Sequence, residues 1–326
     1  MEYANLTNKN DAINFYNDRY CKGYMDEWPI EKKRRVLEVI KRLKLPETGD
    51  ALDFGCGNGA FTDVIKQALP KWNVYGVDIS SIAVGNAKKR CPNCEFFLSS
   101  TLCANSDKRF DFLFTHHVLE HVDDIAKAWR EIDQYLKKQA SSLHILPCGN
   151  QGSFEYKICL LRKDGIKKDM ENKFYFEDMS HLRRLNTDQM SRFAIKYGFN
   201  LEVDYYSNQF YGAVDWITQA GLSFILEMTS PRKTKDNISA FKLICLRTLL
   251  LLIKFMRFPA NTIDYKRDKM KGYKYYFLFS MLLIFYPFSK LTNIFLEYMS
   301  NSEWKNEKSK KNGSEMYLYF KRTQTI

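Results

Sequence analysis

The chain has 326 residues, 45% of them hydrophobic and 27% charged. That is ordinary for a globular protein with a packed core, and its length suits one domain with a large insertion. Eight cysteines in a chain this long, behind a polar start (Met1 to Asn5) without a secretory apolar region, exclude a disulfide scaffold and point to reduced thiols in the cytoplasm. The net charge of +12 is confined to one region: residues 231–326 hold 19 Lys plus Arg against 7 Asp plus Glu, and residues 1–230 are balanced at 31 each. A basic C-terminal third implies an anionic partner: a phospholipid surface, nucleic acid or a phosphorylated substrate.

Residues 10–44 read as two helices, the second apolar on one side (Val36, Leu37, Val39, Ile40, Leu43) and stopped by Pro46. Upstream lie Phe15, Tyr16, Tyr20 and Tyr24. These rings either pack the helices onto a sheet or form an aromatic lid. From Asp50 the pattern alternates: strand 50–54, helix 60–69, strand 73–78, helix 80–90, strands 95–98 and 110–115, helix 122–137, strand 141–147. Such alternation implies a parallel, doubly wound sheet that binds ligands at the carboxyl ends of its strands. Helix 186–197 opens on Asn186 and Gln189, which are spaced for a capping box, and ends at Gly198.

The first strand ends at Asp53 and leads into Gly55-Cys56-Gly57-Asn58-Gly59 and an amphipathic helix. Glycine lets a ligand lie against the backbone, and the following helix aims its first amides at the same place. The spacing Gly-x-Gly-x-Gly is neither the dinucleotide fingerprint nor a phosphate loop, which disfavours a nicotinamide-dependent oxidoreductase. The second strand ends at Asp78, a carboxylate suited to a ribose diol. These residues, with Val77-Asp78-Ile79-Ser80, Phe110 to Phe114 and Val118-Leu119-Glu120-His121-Val122, resemble the class I S-adenosylmethionine-dependent methyltransferases over roughly residues 45–207 and the last ten.

The resemblance implies a Rossmann-like seven-stranded sheet built from residues 50–207 plus 313–326, with residues 1–49 over the cofactor cleft and 148–185 as a substrate cap. Residues 208–312 would be a helical insertion before the last strand. It also implies S-adenosylmethionine as cofactor, held by Asp53, Gly55, Cys56, Gly57, Gly59, Asp78, Ile79 and Thr115. Ser100 stands where many family members carry an Asp toward adenine, and a serine is the weaker acceptor. Two histidines are candidate general bases: His117 after the fourth strand, and His181 in the His-Leu-Arg segment before the penultimate helix. His121 matches a frequent family pattern with a structural role, and His144 alternates inside a strand. The histidine spacing is not a metal signature, and Cys91-Pro92-Asn93-Cys94 lacks the second pair a zinc site needs.

The insertion carries a leucine-rich stretch, 242–257, with Lys242, Arg247, Lys254 and Arg257 on one arc. A second apolar block, Tyr275 to Phe288, is interrupted by Pro287 and is short of a bilayer core as helix. This pattern suggests a peripheral helix lying on an anionic membrane surface; the alternative is a helical subdomain buried on the sheet edge or in a dimer contact. Nucleic acid is disfavoured because the aromatics lie in apolar runs rather than between basic residues. The expectation is a cytoplasmic methyltransferase acting on a small or lipid-linked, glycan- or quinone-like acceptor, probed against a non-catalytic scaffold at the membrane surface.

Overall fold

A computed structural model describes residues 9–99, 107–178, 180–266 and 273–323. The chain divides into two compact units: the first comprises Met1–Pro147, Met179–Asp204 and Met316–Ile326, the second Cys148–Asp178 and Tyr205–Glu315.

The first unit opens with α1 (Lys9–Cys21) and α2 (Ile30–Arg42), then alternates β1 (Asp50–Phe54), α3 (Ala60–Ala68), β2 (Asn73–Asp78), α4 (Ser81–Arg90), β3 (Glu95–Leu98), β4 (Phe110–His116), α5 (Ile125–Tyr135) and β5 (Leu136–Pro147). The seven-stranded sheet is completed by β8 (Phe199–Ser207) and β9 (Glu315–Arg322), in the order β3-β2-β1-β4-β5-β9-β8. Strands β3, β2, β1, β4 and β5 pair in parallel. Their centres are continuously apolar (Leu52, Val74, Val77, Phe112, Phe114, Leu143) and buried, as a sheet covered on both faces requires. Thr323 donates its amide to Gly198 O and Ser314 donates to Asn208 O, so β8 and β9 run antiparallel at the edge. This is the Rossmann-like doubly wound architecture, with the last strand returning after a long insertion.

One local difference from the sequence reading has a physical cause. Helix α5 ends at Tyr135 rather than 137, and β5 starts at once. Lys137 is drawn out along the strand, where its ammonium sits 2.7 Å from Asp111 and 3.5 Å from Asp50. The capping box forms as read: Asn186 Oδ1 accepts from Gln189 N, and Gln189 Oε1 from Asn186 N, opening α7 (Thr187–Ile195).

In the second unit, α6 (Phe154–Cys159) and a short hairpin, β6 (Ile166–Lys167) with β7 (Lys173–Phe174), precede four helices. These are α8 (Tyr211–Gln219), α9 (Leu222–Met228), α10 (Asn237–Lys266) and α11 (Tyr273–Glu307). Ile158, Phe174, Ile217, Ile225, Met228, Leu243, Leu250 and Leu296 form its core. Pro287 does not break the second apolar block, because α11 continues through it. A proline in a helix interior forfeits one backbone bond, a loss that packing against α10 offsets. Among the described residues one helix segment, Phe279–Glu307, is long and apolar enough to cross a membrane, and only 17% of its apolar window is buried. The block is therefore longer as helix than the uncharged run alone suggests.

Three of the four cations on the basic arc of α10 face the opposite way from the expectation, while Lys242 stays exposed. Lys254 donates to the carbonyls of Thr218 and Ala220 at the end of α8. Arg247 donates to Leu226 O and Thr229 O at the end of α9, both at 3.0 Å. Arg257 is buried, 2.8 Å from Asp215 and bonded to Asn293 and Thr218. The last carbonyls of two short helices are unsatisfied acceptors carrying partial negative charge, and cations complete them. The outward arc is left to Phe241, Leu252 and Phe255, the last 75% exposed.

Candidate functional site

The glycine turn lies at the carboxyl edge of the sheet, where the strand order reverses between β1 and β4. Gly55, Gly57 and Gly59 all adopt positive φ (79°, 50° and 77°). A Cβ on Gly55 would stand 2.4 Å from Val118, so close packing as well as conformation demands glycine there. Helix α3 starts at Gly59 without a side-chain cap, leaving its first amides for another acceptor.

Two buried carboxylates brace this turn. Asp53 accepts from Thr62 Oγ1 at 2.6 Å. Burial pushes its carboxyl up to about 7 against that hydrogen bond, and Asp78 adds to the rise. Asp78 accepts from Gly57 N through Oδ2 and from Ser80 N through Oδ1, both at 2.9 Å. It ties the first two βα loops together, and burial raises its carboxyl although those amides resist the rise. Ile79 follows, half-buried, and Cys56 is buried with its thiol pushed well up by burial.

Helix α1 covers the turn. The Tyr20 hydroxyl is 2.8 Å from where a Gly57 Cβ would sit, Asn17 Oδ1 accepts from Ser80 Oγ at 2.6 Å, and Asn58 Nδ2 donates to Asp26 at 2.8 Å. Tyr16 meets the His121 ring edge-on at 6.1 Å. The aromatic residues of α1 thus lie over the glycine turn and over the histidines. Burial first, and the Asp78 carboxylate second, hold the Tyr20 hydroxyl protonated.

Beside the turn the histidines gather around Glu120, which sequence reasoning treated only as part of a family pattern. Glu120 is fully buried. His117 Nδ1 stands 3.0 Å from its carboxylate and His121 Nε2 at 4.0 Å. Burial pushes the Glu120 carboxyl up, but His117, His121 and His181 outweigh that and hold it at about 2. Lys32 Nζ, from α2, lies 3.0 Å from His117 Nε2, and the Trp28 ring packs 5.6 Å from the same imidazole. His121 Nδ1 meets Ser180 O at 3.0 Å, and burial brings its imidazole down to about 4. Leu182 N donates to Glu120 O at 2.8 Å, which sets the His181 segment against this loop. The His121 and His181 rings are 4.7 Å apart.

The fold thus brings together Asp53, Gly55, Cys56, Gly57, Gly59, Asp78 and Ile79, and beside them His117 and His181. Thr115 lies at the end of β4 with its hydroxyl buried 2.9 Å from His144 Nδ1, a pair inside the sheet. Ser100 lies outside the described residues. His144 is fully buried against Trp129 and Phe320. Cys91 packs with Cys56, Val84, Ala87 and Phe96 as a small hydrophobe. Glu120 and Lys32 were missed because neither stands in a spacing that announces it. A buried carboxylate amid scarce, clustered histidines was the available signal.

A family model described as a methyltransferase domain matches residues 28–202. A trans-aconitate 2-methyltransferase from Variovorax paradoxus (strain S110) is 32% identical over 110 residues, 33% of this chain and 41% of that protein. A putative methyltransferase, 235L, of Invertebrate iridescent virus 6 is 26% identical over 159 residues, 49% of this chain and 58% of that one. Among solved structures, a Thermotoga maritima methyltransferase described as a possible histamine N-methyltransferase is 21% identical. It covers 59% of this chain and 84% of its own, with a TM-score of 0.43. The chain spans less than two thirds of the length of these curated relatives.

Proposed function

The chain belongs to the methyltransferase-domain family, and from that premise we propose that it moves a methyl group from S-adenosylmethionine to an oxygen of a small or lipid-linked acceptor, glycan- or quinone-like in kind. The observation that carries the reading is the triple-glycine turn, held by Asp78 through Gly57 N and Ser80 N, with an uncapped helix start beside it. Residues that admit a close backbone approach, beside a buried carboxylate, fit an aminoacyl nucleoside. Asp53, Gly55, Cys56, Gly57, Gly59, Asp78 and Ile79 would hold it, with Tyr20 closing over Gly57. The cofactor supplies a methyl group on a positively charged sulfur.

The chain's own residues supply alignment and a proton acceptor. His117 donates Nδ1–H to Glu120, which fixes the tautomer and leaves a lone pair on Nε2. Lys32 at that nitrogen favours a developing oxyanion. His181 stands in the same cluster as the second candidate base. Calorimetric titration with S-adenosylhomocysteine tests the reading: wild type binds one equivalent, and Asp78→Ala abolishes binding. Well-folded wild type that binds none would overturn it.

A lipid-linked acceptor, and a place at the cytoplasmic face of a membrane, are supported by the outer faces of α10 and α11. Phe255, Ile284, Phe288 and Leu291 are each more than 60% exposed, and apolar patches of this extent mark contact surfaces. Because Arg247, Lys254 and Arg257 are occupied inside the unit, adsorption would rest on apolar burial more than on headgroup charge. Flotation should therefore succeed on neutral phosphatidylcholine vesicles and resist salt. Flotation that needs anionic lipid and vanishes at high salt would count against this account, and no flotation on either would remove the membrane from the reading.

A further inference from the structure

We propose that His117, Glu120 and His181 form a binding site for one divalent transition-metal ion. One ligand atom from each of the three residues lies within 4.8 Å of the other two. Bonds of about 2.0–2.2 Å to nitrogen and oxygen place ligand atoms about 3–3.5 Å apart around an ion, so small side-chain rotations close the set. No residue of the triad neighbours another in sequence, and the histidine spacing alone conceals it.

Three independent features favour an ion here. First, neither Glu120 oxygen has a hydrogen-bond donor among the described residues except the imidazoles around it. A fully buried carboxylate calls for a paired cation or a metal. Second, His117 adopts φ 53°, an uncommon left-handed conformation of the kind that recurs at functional sites. Third, the two ligand loops are tied together by the Leu182 N to Glu120 O bond, which fixes the spacing before any ion arrives. Two imidazoles and one carboxylate suit zinc, iron, cobalt or manganese rather than calcium or magnesium, which prefer oxygen donors throughout.

Lys32 is the competitor. Its ammonium satisfies the same buried negative region from the far side of the His117 ring, at Nε2, whereas the ion would take Nδ1 beside Glu120. Ion binding would turn Lys32 outward and leave Nε2 protonated. The role of the ion rests on the methyl-transfer reading: it would hold the acceptor hydroxyl oxygen as its conjugate base, the proton leaving to solvent, so that His117 ligates rather than abstracts. Binding of the ion does not rest on that reading.

The test is titration of untagged full-length protein with cobalt(II), followed by calorimetry and by visible ligand-field absorption, with Trp28 emission as a nearby reporter. Wild type should bind one equivalent. Glu120→Gln and His181→Ala should each weaken binding at least about tenfold, and Lys32→Ala should tighten it by removing the competing charge. S-adenosylhomocysteine binding, unchanged in all three variants, reports that each is folded. Wild type that binds S-adenosylhomocysteine but no stoichiometric cobalt overturns the metal site, as does binding indifferent to Glu120→Gln. Cobalt bound as expected without S-adenosylhomocysteine leaves the site standing and removes the methyl-transfer reading instead.

Discussion

The two compact units of this chain solve the placement of charge in opposite ways. In the first, the strand centres are largely apolar and acids are buried at the carboxyl edge of the sheet, where Asp53, Asp78 and Glu120 lie around a glycine turn and a cluster of histidines. In the second, three cations of α10 are turned inward. Arg247, Lys254 and Arg257 bind the carbonyl ends of α8 and α9, and Glu303 receives the amides of Phe210, Tyr211 and Gly212 at the start of α8. The outer faces of α10 and α11 expose large apolar side chains. Burying charge at one edge builds a reactive site; burying it along helix ends builds a scaffold whose free face is hydrocarbon. The same residue types do both, and only the partner distinguishes them.

The sharpest way to break the comparison is to remove the acid that makes an inward cation tolerable. Arg257 is 4% exposed and Asp215 is its ion-pair partner at 2.8 Å. Asp215→Ala leaves a guanidinium buried beside neutral acceptors, and should cost about 3–5 kcal/mol of stability. Arg257→Met replaces the charge with apolar volume and should cost clearly less. Thermal unfolding of both variants decides the matter. Equal losses would mean that the pair is no more than packing, and that the inward polarity of α10 is incidental.

The parts that could be read beforehand and those that could not divide along the same line. Strand–helix alternation, the glycine spacing, Asp78 and the capping box at Asn186 are local patterns, because each is dictated by neighbours within a turn or a strand. The direction of the α10 basic arc is not local. A helical wheel orders Lys242, Arg247, Lys254 and Arg257 around an axis without saying which arc meets solvent, and the deciding acceptors lie 18 to 42 residues away. Glu120 was hidden for the same reason: its partners His181 and, through His117, Lys32 come from distant segments. Thr115 was placed with the cofactor residues by the family resemblance, whereas the structure turns its hydroxyl to His144.

That pair gives the second prediction, in acid. His144 is fully buried with no carboxylate beside it among the described residues, and burial brings its imidazole down from the ordinary 6.5 to about 3. Between those values the unfolded chain binds the proton and the folded chain does not, so stability falls as pH falls from about 6.5 toward 3. His144→Gln keeps a polar side chain able to meet Thr115 and Ser142 and removes that proton linkage. Its unfolding free energy, measured at pH 7 and pH 4.5, should therefore change less than that of wild type. An identical pH dependence in the two would place the acid sensitivity elsewhere in the first unit.

The smallest effect probes the closest approach at the glycine turn. Gly57 holds φ at 50°, and a Cβ there meets the Tyr20 hydroxyl at 2.8 Å. Gly57→Ala therefore carries two separable costs. One is the left-handed backbone, of the order of 1 kcal/mol for alanine. The other is displacement of Tyr20, and with it the cover that α1 lays over the turn. Tyr20→Phe removes the oxygen that collides and leaves the backbone cost in place. On S-adenosylhomocysteine affinity, Gly57→Ala alone should weaken binding about tenfold, and the double variant Gly57→Ala/Tyr20→Phe should recover part of that loss. Strict additivity would mean that Tyr20 lies over the turn without closing it. Recovery would make α1 a working part of the cofactor site, so that burial of charge at the sheet edge depends on a helix laid down before the first strand.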